Sequence, residues 1–203
     1  MNALIIVDVQ NDFLPGGALP VQHGDQIVPL ANKLQNRFEL VVATQDWHPS
    51  NHGSFAANHP GKEPGDRVSL DGLEQILWPV HCVENTRGAE FSPALDTRRF
   101  SRVFQKGTDP KIDSYSAFFD NAHRRATGLG DYLKESSVTD VYLCGLALDY
   151  CVKYSALDAR QLKFNTHVFV GACRGIGLEP GDLGKALEEM KESGATLLQS
   201  DEL

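Results

Sequence analysis

Short apolar runs recur along the chain and alternate with segments of helical spacing. Six runs are predicted strands, at residues 3–9, 40–44, 103–106, 140–144, 166–172 and 195–199. The first run, ALIIVDV, is apolar at successive positions, which is typical of a strand covered on both faces in a parallel sheet. Helices are predicted at residues 25–37, 121–135, from about residue 149, and 180–192. This order predicts an α/β fold: a doubly wound, mainly parallel six-stranded sheet with helices on both faces.

The length and continuity of the pattern predict one domain over residues 1–203. A chain of 203 residues can bury a full core, and no repeat, linker or low-complexity tract divides it. Residues 45–100 are rich in Gly, Pro, His and Asn and are predicted to be a long loop region. A loop of that length in a compact domain usually serves a function, so we expect metal and substrate contacts there.

Charge, hydropathy and cysteine content argue against nucleic-acid and membrane partners and against a secreted protein. The formal net charge of −8 argues against nucleic acid or an anionic membrane as a partner. No apolar run approaches the roughly 20 residues of a membrane span, and the first residues lack the pattern of a signal peptide. The four cysteines include no CxxC pair, which favours reduced thiols in a cytoplasmic protein.

Cys151 lies where a predicted strand gives way to a helix. Free backbone N–H groups and the helix dipole at that position favour a thiolate, so the cysteine could act as a nucleophile. A free cysteine may equally be a small apolar residue packed beneath a helix. The local pattern favours neither interpretation.

Four polar residues follow four different predicted strands: Asp8, Asp46, Lys106 and Cys151. The carboxyl ends of parallel strands share one edge of the sheet, where α/β folds bind ligands. A thiol, a carboxylate that takes its proton, and a lysine that keeps the carboxylate ionised suit covalent catalysis. This coincidence favours the nucleophile interpretation.

The loop region also contains metal-ligand residue types. Asp46 and His48 form an Asp-x-His pair, and His81 is the best remote partner. An Asp/His/His set would hold a metal ion with positions open for water or substrate. Scattered loop histidines are often exposed and without function, so the pattern alone does not identify a metal site.

Five ordered segments resemble those of bacterial nicotinamidase/pyrazinamidases in the isochorismatase-like cysteine hydrolase superfamily: LIIVDVQNDF (4–13), DWHPSNHGSF (46–55), WPVHCV (78–83), FQKG (104–107) and GLALDYCV (145–152). The resemblance runs from the first predicted strand to the last. It implies hydrolysis of nicotinamide to nicotinate and ammonia in NAD salvage, with pyrazinamide as a further substrate.

The resemblance also implies the roles of the residues at the sheet edge. Asp8, Lys106 and Cys151 would be the catalytic triad, and the reaction would pass through a thioester on the cysteine. The backbone N–H groups of Ala147 and Cys151 would form the oxyanion hole. The peptide bond between Leu146 and Ala147 is expected to be cis.

Metal ligands follow from the same resemblance. They would be Asp46, His48 and His81, and His52 is left open as a further ligand because relatives differ there. Zinc is the first expectation, although iron and manganese suit the same donors. The metal ion would bind the pyridine nitrogen, directly or through water, and orient the ring.

The substrate pocket is implied in the same way. Phe13 and Trp78 would sandwich the ring, Tyr115 would close the pocket, and Ala147 would contact the substrate. Core packing is the alternative for Phe13 and Trp78, and His59 is expected at the surface. Nicotinamide is the expected partner, and the sequence leaves open whether the protein is a monomer or a homodimer.

Three alternatives remain at this point. The chain could be a cysteine amidase of the same superfamily that acts on another small amide, such as a carbamoyl or ureido compound. It could be a metallohydrolase in which metal-bound water attacks and Cys151 is incidental. It could also be a binding protein without activity, since fold does not fix function.

Overall fold

The computed structural model describes residues 1–199, which contain a parallel sheet and a separate hairpin. The strands are β1 (Asn2–Val7), β2 (Leu40–Asp46), β3 (Arg67–Leu70), β4 (Leu73–Ile76), β5 (Arg102–Lys106), β6 (Asp140–Leu146), β7 (Asn165–Arg174) and β8 (Thr196–Leu198). Six strands form a sheet in the order β5-β2-β1-β6-β7-β8, and every neighbouring pair is parallel. The β3 and β4 strands pair antiparallel. The predicted six-stranded α/β sheet is confirmed.

Four helices cover the two faces of this sheet. They are α1 (Val28–Gln35), α2 (Leu129–Glu135), α3 (Lys153–Gln161) and α4 (Asp182–Glu192). Alternate residues of β1 face opposite ways: Ile5 packs in a core with residues of α2, α3 and α4, whereas Leu4 and Ile6 pack with residues of α1. Both faces of β1 are therefore buried, as its continuous apolar run predicts. None of the helices within residues 1–199 has the length and apolar character to cross a membrane.

The predicted helix over residues 121–135 is wrong in its first half. The α2 helix begins at Leu129, after Gly128 in a left-handed conformation with φ of +89°. Upstream, both carboxylate oxygens of Asp120 accept backbone N–H groups, those of residues 122, 124 and 125. This side chain stabilises a series of turns, and such local bonds compete with helix formation.

The predicted loop over residues 45–100 contains more regular structure than expected. The hairpin of β3 and β4 lies within it, together with short 3-10 turns at Ala56–Asn58 and Arg87–Ala89. Each hairpin strand has four residues, and β3 alternates exposed with half-buried positions. Its apolar signal was therefore too weak to indicate a strand from the sequence.

Candidate active site

The carboxyl ends of four neighbouring strands bring the predicted polar residues together. Lys106 is the last residue of β5 and pairs in register with Asp46, the last residue of β2. Asp8 follows β1, which lies next to β2, and Ala147 follows β6, which lies on the other side of β1. Cys151 comes one π-helical turn later, within Leu148–Val152 and just before α3. The parallel topology thus places these side chains at one edge of the sheet.

Lys106 lies at the centre of a buried cluster of acidic and thiol groups. Its Nζ is 2.9 Å from Asp8 Oδ2 and 3.4 Å from Cys151 Sγ, and it donates to Asp46 Oδ1. It also donates to the carbonyl oxygen of Ser114 at 3.0 Å. Ligand atoms of Asp8, Asp46 and Cys151 all lie within 4.8 Å of one another. One buried cation therefore contacts the two carboxylates and the thiol that the sequence singled out.

Two residues not identified from the sequence hold the two acids of this cluster in place, one through a carboxylate and one through the backbone. Thr44 Oγ1 donates a 2.6 Å hydrogen bond to Asp8 Oδ1, while Asp8 Oδ2 faces Lys106. The side chain of Gln10 accepts from the backbone N–H of Asp46 and donates to its carbonyl oxygen, both at 2.8 Å. A polar residue at the end of an apolar strand is the available sequence signal, and it does not reveal the partner.

Burial has the largest influence on the proton affinities in the cluster. It raises the pKa of Asp8, and the nearby charge of Lys106 offsets this only in part. It also raises the pKa of the Cys151 thiol well above its usual value, with Lys106 again acting in the opposite direction. The expectation from the sequence that this position favours a thiolate is therefore wrong, because burial outweighs the charge of Lys106.

Lys106 remains charged in this environment. Burial alone would lower its pKa, but the carboxylates of Asp46 and Asp8 outweigh burial and hold the pKa well above its usual value. The ammonium group thus balances part of the negative charge that the two acids place in a buried site.

The predicted metal ligands face one another next to this cluster. His48 Nε2 and His81 Nε2 lie 3.6 and 3.8 Å from the same oxygen, Asp46 Oδ2. His48 Nδ1 lies 2.8 Å from the carbonyl oxygen of Gly107, and His81 Nδ1 lies 2.7 Å from that of Pro79. A carbonyl can only accept, so each Nδ1 carries a proton, and each Nε2 can bind a metal ion when it is unprotonated. Two imidazole nitrogens and one carboxylate oxygen therefore converge.

The lowered pKa values of Asp46 and His81 favour the forms that bind a divalent metal ion, whereas that of His48 is raised. Burial, together with His48, lowers the pKa of His81 to about 4. Burial would raise the pKa of Asp46, but Lys106 and His48 outweigh it and lower the pKa far below its usual value. Burial would also lower the pKa of His48, but Asp46 outweighs burial and raises it, and a metal ion would compete with that proton. The group Asp46, His48 and His81 can hold a metal ion.

Gly107 allows the His48 ring to pack against the chain. Its φ is +65°, and a Cβ at this position would lie 2.3 Å from His48 Cε1. A side chain would displace the ring, so the Lys-Gly pair at the end of β5 supplies both the buried cation and the space for the His48 ring.

His52 belongs to a second group of candidate ligands, with His48 and Asp113. Its Nδ1 lies 2.7 Å from Ser54 Oγ, and its buried Nε2 has no hydrogen-bond partner among residues 1–199. The group that contains Asp46 does not include His52. A role for His52 as a further ligand therefore stays a prediction. His59 is half-buried rather than fully exposed, and its Nε2 contacts the carbonyl oxygen of Gly53 at 2.8 Å.

A narrow cavity lies over Cys151 and the metal-ligand group. All four predicted substrate-contact residues line it, namely Phe13, Trp78, Tyr115 and Ala147. Asp46, His81 and Cys151 line it as well. The peptide bond between Leu146 and Ala147 is cis, as the resemblance implies. Four further lining residues were not identified from the sequence: Leu19, Asp113, Tyr150 and Ile176.

The unpredicted hairpin fixes the aromatic wall of this cavity. Tyr115 Oη accepts hydrogen bonds from Trp78 Nε1 and from Gln75 Nε2 of β4, both at 3.1 Å. Gln75 Nε2 also donates to Asp113 Oδ2 at 3.1 Å. The ring of Tyr150 packs edge-on against Trp78, with centroids 5.0 Å apart. Trp78 and Tyr115 are thus held in fixed orientations. The wall that they form suits a flat apolar ring.

Comparisons with known proteins agree with the geometry. The isochorismatase domain family matches residues 2–202. The nicotinamidase of Escherichia coli K12 is 50% identical over 199 residues, which cover 96% of this chain and 93% of that protein. A nicotinamidase/pyrazinamidase structure from Acinetobacter baumannii superposes with a TM-score of 0.95 at 49% identity, covering 98% of this chain and 96% of that one.

A third protein in the comparison carries a metal ion. The pyrazinamidase of Pyrococcus horikoshii, solved in complex with zinc, is 40% identical with a TM-score of 0.79, covering 98% of each chain. The family match over nearly all residues, the parallel sheet and the full-length relatives lead to one assignment: the chain belongs to the isochorismatase family.

Proposed function

We propose that this protein is a nicotinamidase, which hydrolyses nicotinamide to nicotinate and ammonia and also deamidates pyrazinamide. The observation that carries the proposal is the contact of Lys106 with both Asp8 and Cys151 beneath an aromatic cavity. The full-length relatives that bear these activities in their names support the substrate. The reaction would supply nicotinate for NAD salvage.

Acylation begins with a proton transfer inside the cluster. Asp8, whose pKa is raised by burial, takes the proton of the Cys151 thiol. The sulfur attacks the carbonyl carbon of the amide, and the oxyanion that forms is stabilised by the backbone N–H groups of Ala147 and Cys151. Each such donor is worth roughly 3 to 4 kcal/mol in comparable sites. Asp8 returns the proton to the nitrogen, the C–N bond breaks, and ammonia leaves a thioester on Cys151.

Deacylation reverses the roles with water as the nucleophile. Asp8 takes a proton from the water, whose oxygen attacks the thioester carbon. The C–S bond then breaks, the proton held by Asp8 returns to the sulfur, and nicotinic acid leaves and releases its remaining proton to the solvent as nicotinate. Lys106 stays charged throughout and keeps Asp8 beside the sulfur.

Asp46, His48 and His81 would hold one divalent metal ion, with zinc as the first choice because a relative was solved with it. When bound, the ion supplies a Lewis acid for the ring nitrogen of the substrate. The chain's own residues orient the rest of the ring: Phe13 and Trp78 pack on it, and the Tyr115 hydroxyl holds Trp78 in place.

The metal group gives a testable prediction. We expect His81→Ala to lower the zinc content of the purified protein and to raise KM for nicotinamide by at least about tenfold, because one of two imidazole ligands is lost. Metal analysis and steady-state kinetics measure both effects. His59→Ala is the matched control, since His59 lies outside the ligand groups, and it should keep metal content and KM. A metal-free His81→Ala protein with unchanged KM would contradict the role of the ion in orienting the substrate.

The proposed substrate is tested with the purified wild-type protein. Ammonia and nicotinate are measured after incubation with nicotinamide, and ammonia after incubation with pyrazinamide and with a carbamoyl and a ureido compound. Equal amounts of ammonia and nicotinate support the proposal. If nicotinamide stays intact while a carbamoyl or ureido compound is hydrolysed, the chain is an amidase of another substrate class.

A further inference from the structure

Asp149 is a buried carboxylate that the proposed mechanism does not use. It lies within the π-helical turn that carries Cys151, two residues before the nucleophile, and is 4% exposed. Asp149 Oδ1 accepts the backbone N–H of Ile176 at 2.9 Å, and Oδ2 accepts that of Gly177 at 2.8 Å. Both oxygens thus bind consecutive N–H groups of a segment remote in the sequence.

The segment that Asp149 holds has no regular structure of its own. Residues 175–177 connect the end of β7 to the turn before α4 and belong to neither a helix nor a strand. Gly175 passes so close to Asp149 that a Cβ on it would lie 2.8 Å from Asp149 Oδ1 and 2.2 Å from Leu183 Cδ2. The carboxylate and the segment therefore pack closely, with no space for a side chain at residue 175. Hydrogen bonds to an ionised carboxylate are also stronger than those between neutral groups.

Ile176 connects the segment held by Asp149, which we call the Asp149 anchor, to the cavity. Ile176 lines the same cavity as Phe13, Leu19 and Cys151, and it packs against the apolar cluster that contains Phe13. The backbone N–H of the lining residue is one of the two that Asp149 binds. The turn with the nucleophile and an apolar wall of the pocket are therefore joined by one side chain.

We infer that Asp149 is a positioning residue, which fixes Ile176 as a wall of the substrate pocket at a set distance from Cys151. The effect on nicotinamide binding rests on the proposed function, whereas the claim that Asp149 holds Ile176 in place does not. An apolar wall held by two charge-assisted bonds keeps a flat ring in the orientation that the sulfur needs. Loss of the anchor should weaken ring binding more than it slows the chemical steps.

The test begins with Asp149→Asn, which keeps the shape but puts an NH₂ group where one N–H needs an acceptor. We expect faster hydrogen exchange at the amides of Ile176 and Gly177, measured by NMR, and a rise in KM for nicotinamide of about 5- to 20-fold with a smaller change in kcat. Asp182→Asn is the matched control: it removes a carboxylate that accepts the N–H of Glu179 at 2.8 Å in the next turn, and both readouts should stay unchanged.

Ile176→Ala tests whether the two residues act together. If Asp149 acts through Ile176, the double variant should have a KM no higher than about twofold above that of the worse single variant, because both changes remove the same wall. Independent, multiplicative effects on KM would overturn the inference. Asp149→Glu, which keeps two carboxylate oxygens, should restore part of the exchange protection and serves in place of the asparagine variant if that variant does not fold.

Three results separate the possibilities. Unchanged exchange at Ile176 and Gly177 in the Asp149 variants would overturn the anchor, whatever the activity. Faster exchange with a lower kcat and an unchanged KM would also overturn the inference, because Asp149 would then act on the catalytic turn instead of the wall. If the wild-type protein leaves nicotinamide intact, the proposed function fails, and the exchange rates alone decide whether Asp149 anchors this segment.

Discussion

Replacing Cys151 with alanine is expected to lower the turnover of nicotinamide by at least about 10³-fold, because the sulfur is the atom proposed to form the thioester. The variant should fold and keep its metal ion, since the thiol is small and the ligand group Asp46, His48 and His81 does not include it. Ammonia release, zinc content and a thermal unfolding curve measure the three properties.

Cys144→Ala is the matched control for this experiment. Cys144 lies on β6 and is fully buried, but it does not line the cavity. The substitution should lower stability slightly and leave turnover within about twofold of the wild type. If Cys151→Ala keeps its activity while metal removal abolishes it, water bound to the metal would be the nucleophile, and the cysteine mechanism would be wrong.

Lys106→Met is expected to lose both activity and stability. Without the ammonium group, Asp8 and Asp46 face each other in a buried site, and breaking such a buried ion pair typically costs about 3 to 5 kcal/mol. One of the two acids would have to take up a proton, which removes the base or a metal-ligand carboxylate. Urea unfolding gives the loss of stability, and ammonia release gives the loss of turnover.

A second lysine on the same chain provides the comparison. Lys153 Nζ pairs with Glu189 Oε2 at 3.0 Å, and that glutamate side chain is about half exposed at 49%. Lys153→Met should therefore change the free energy of unfolding by at most about 1 kcal/mol and leave turnover unaffected. Equal losses of stability in the two variants would contradict the conclusion that the buried ion pairs of Lys106 stabilise the fold.

The sheet could be predicted from the sequence because its central strands are long apolar runs. Each of β1 and β2 is buried at nearly all positions, so no alternation obscures the signal. The hairpin of β3 and β4 and the true start of α2 could not be predicted. Their structure depends on contacts distant in the sequence, such as the bond between Gln75 and Tyr115, and on the Asp120 side chain in its turns.

The location of the site could be predicted because parallel strands share one edge. Asp8, Asp46 and Lys106 each end or follow a strand, and the strand order then makes them neighbours. The sequence could not predict the proton on the Cys151 thiol, because the pKa depends on burial. It also could not identify Ile176 as a cavity residue, because Ile176 lies in a segment with no helical or strand periodicity.

The position of Lys106 on β5 has an evolutionary consequence. Among residues 1–199, β5 is an outermost strand of the sheet and pairs with β2 alone, so the ion pairs of Lys106 with Asp8 and Asp46 also hold this edge to the centre of the fold. A mutation at Lys106 therefore removes catalysis and weakens the edge in the same step. Loss of Lys106 therefore costs stability even in a lineage that no longer needs the reaction, unless Asp8 and Asp46 change with it.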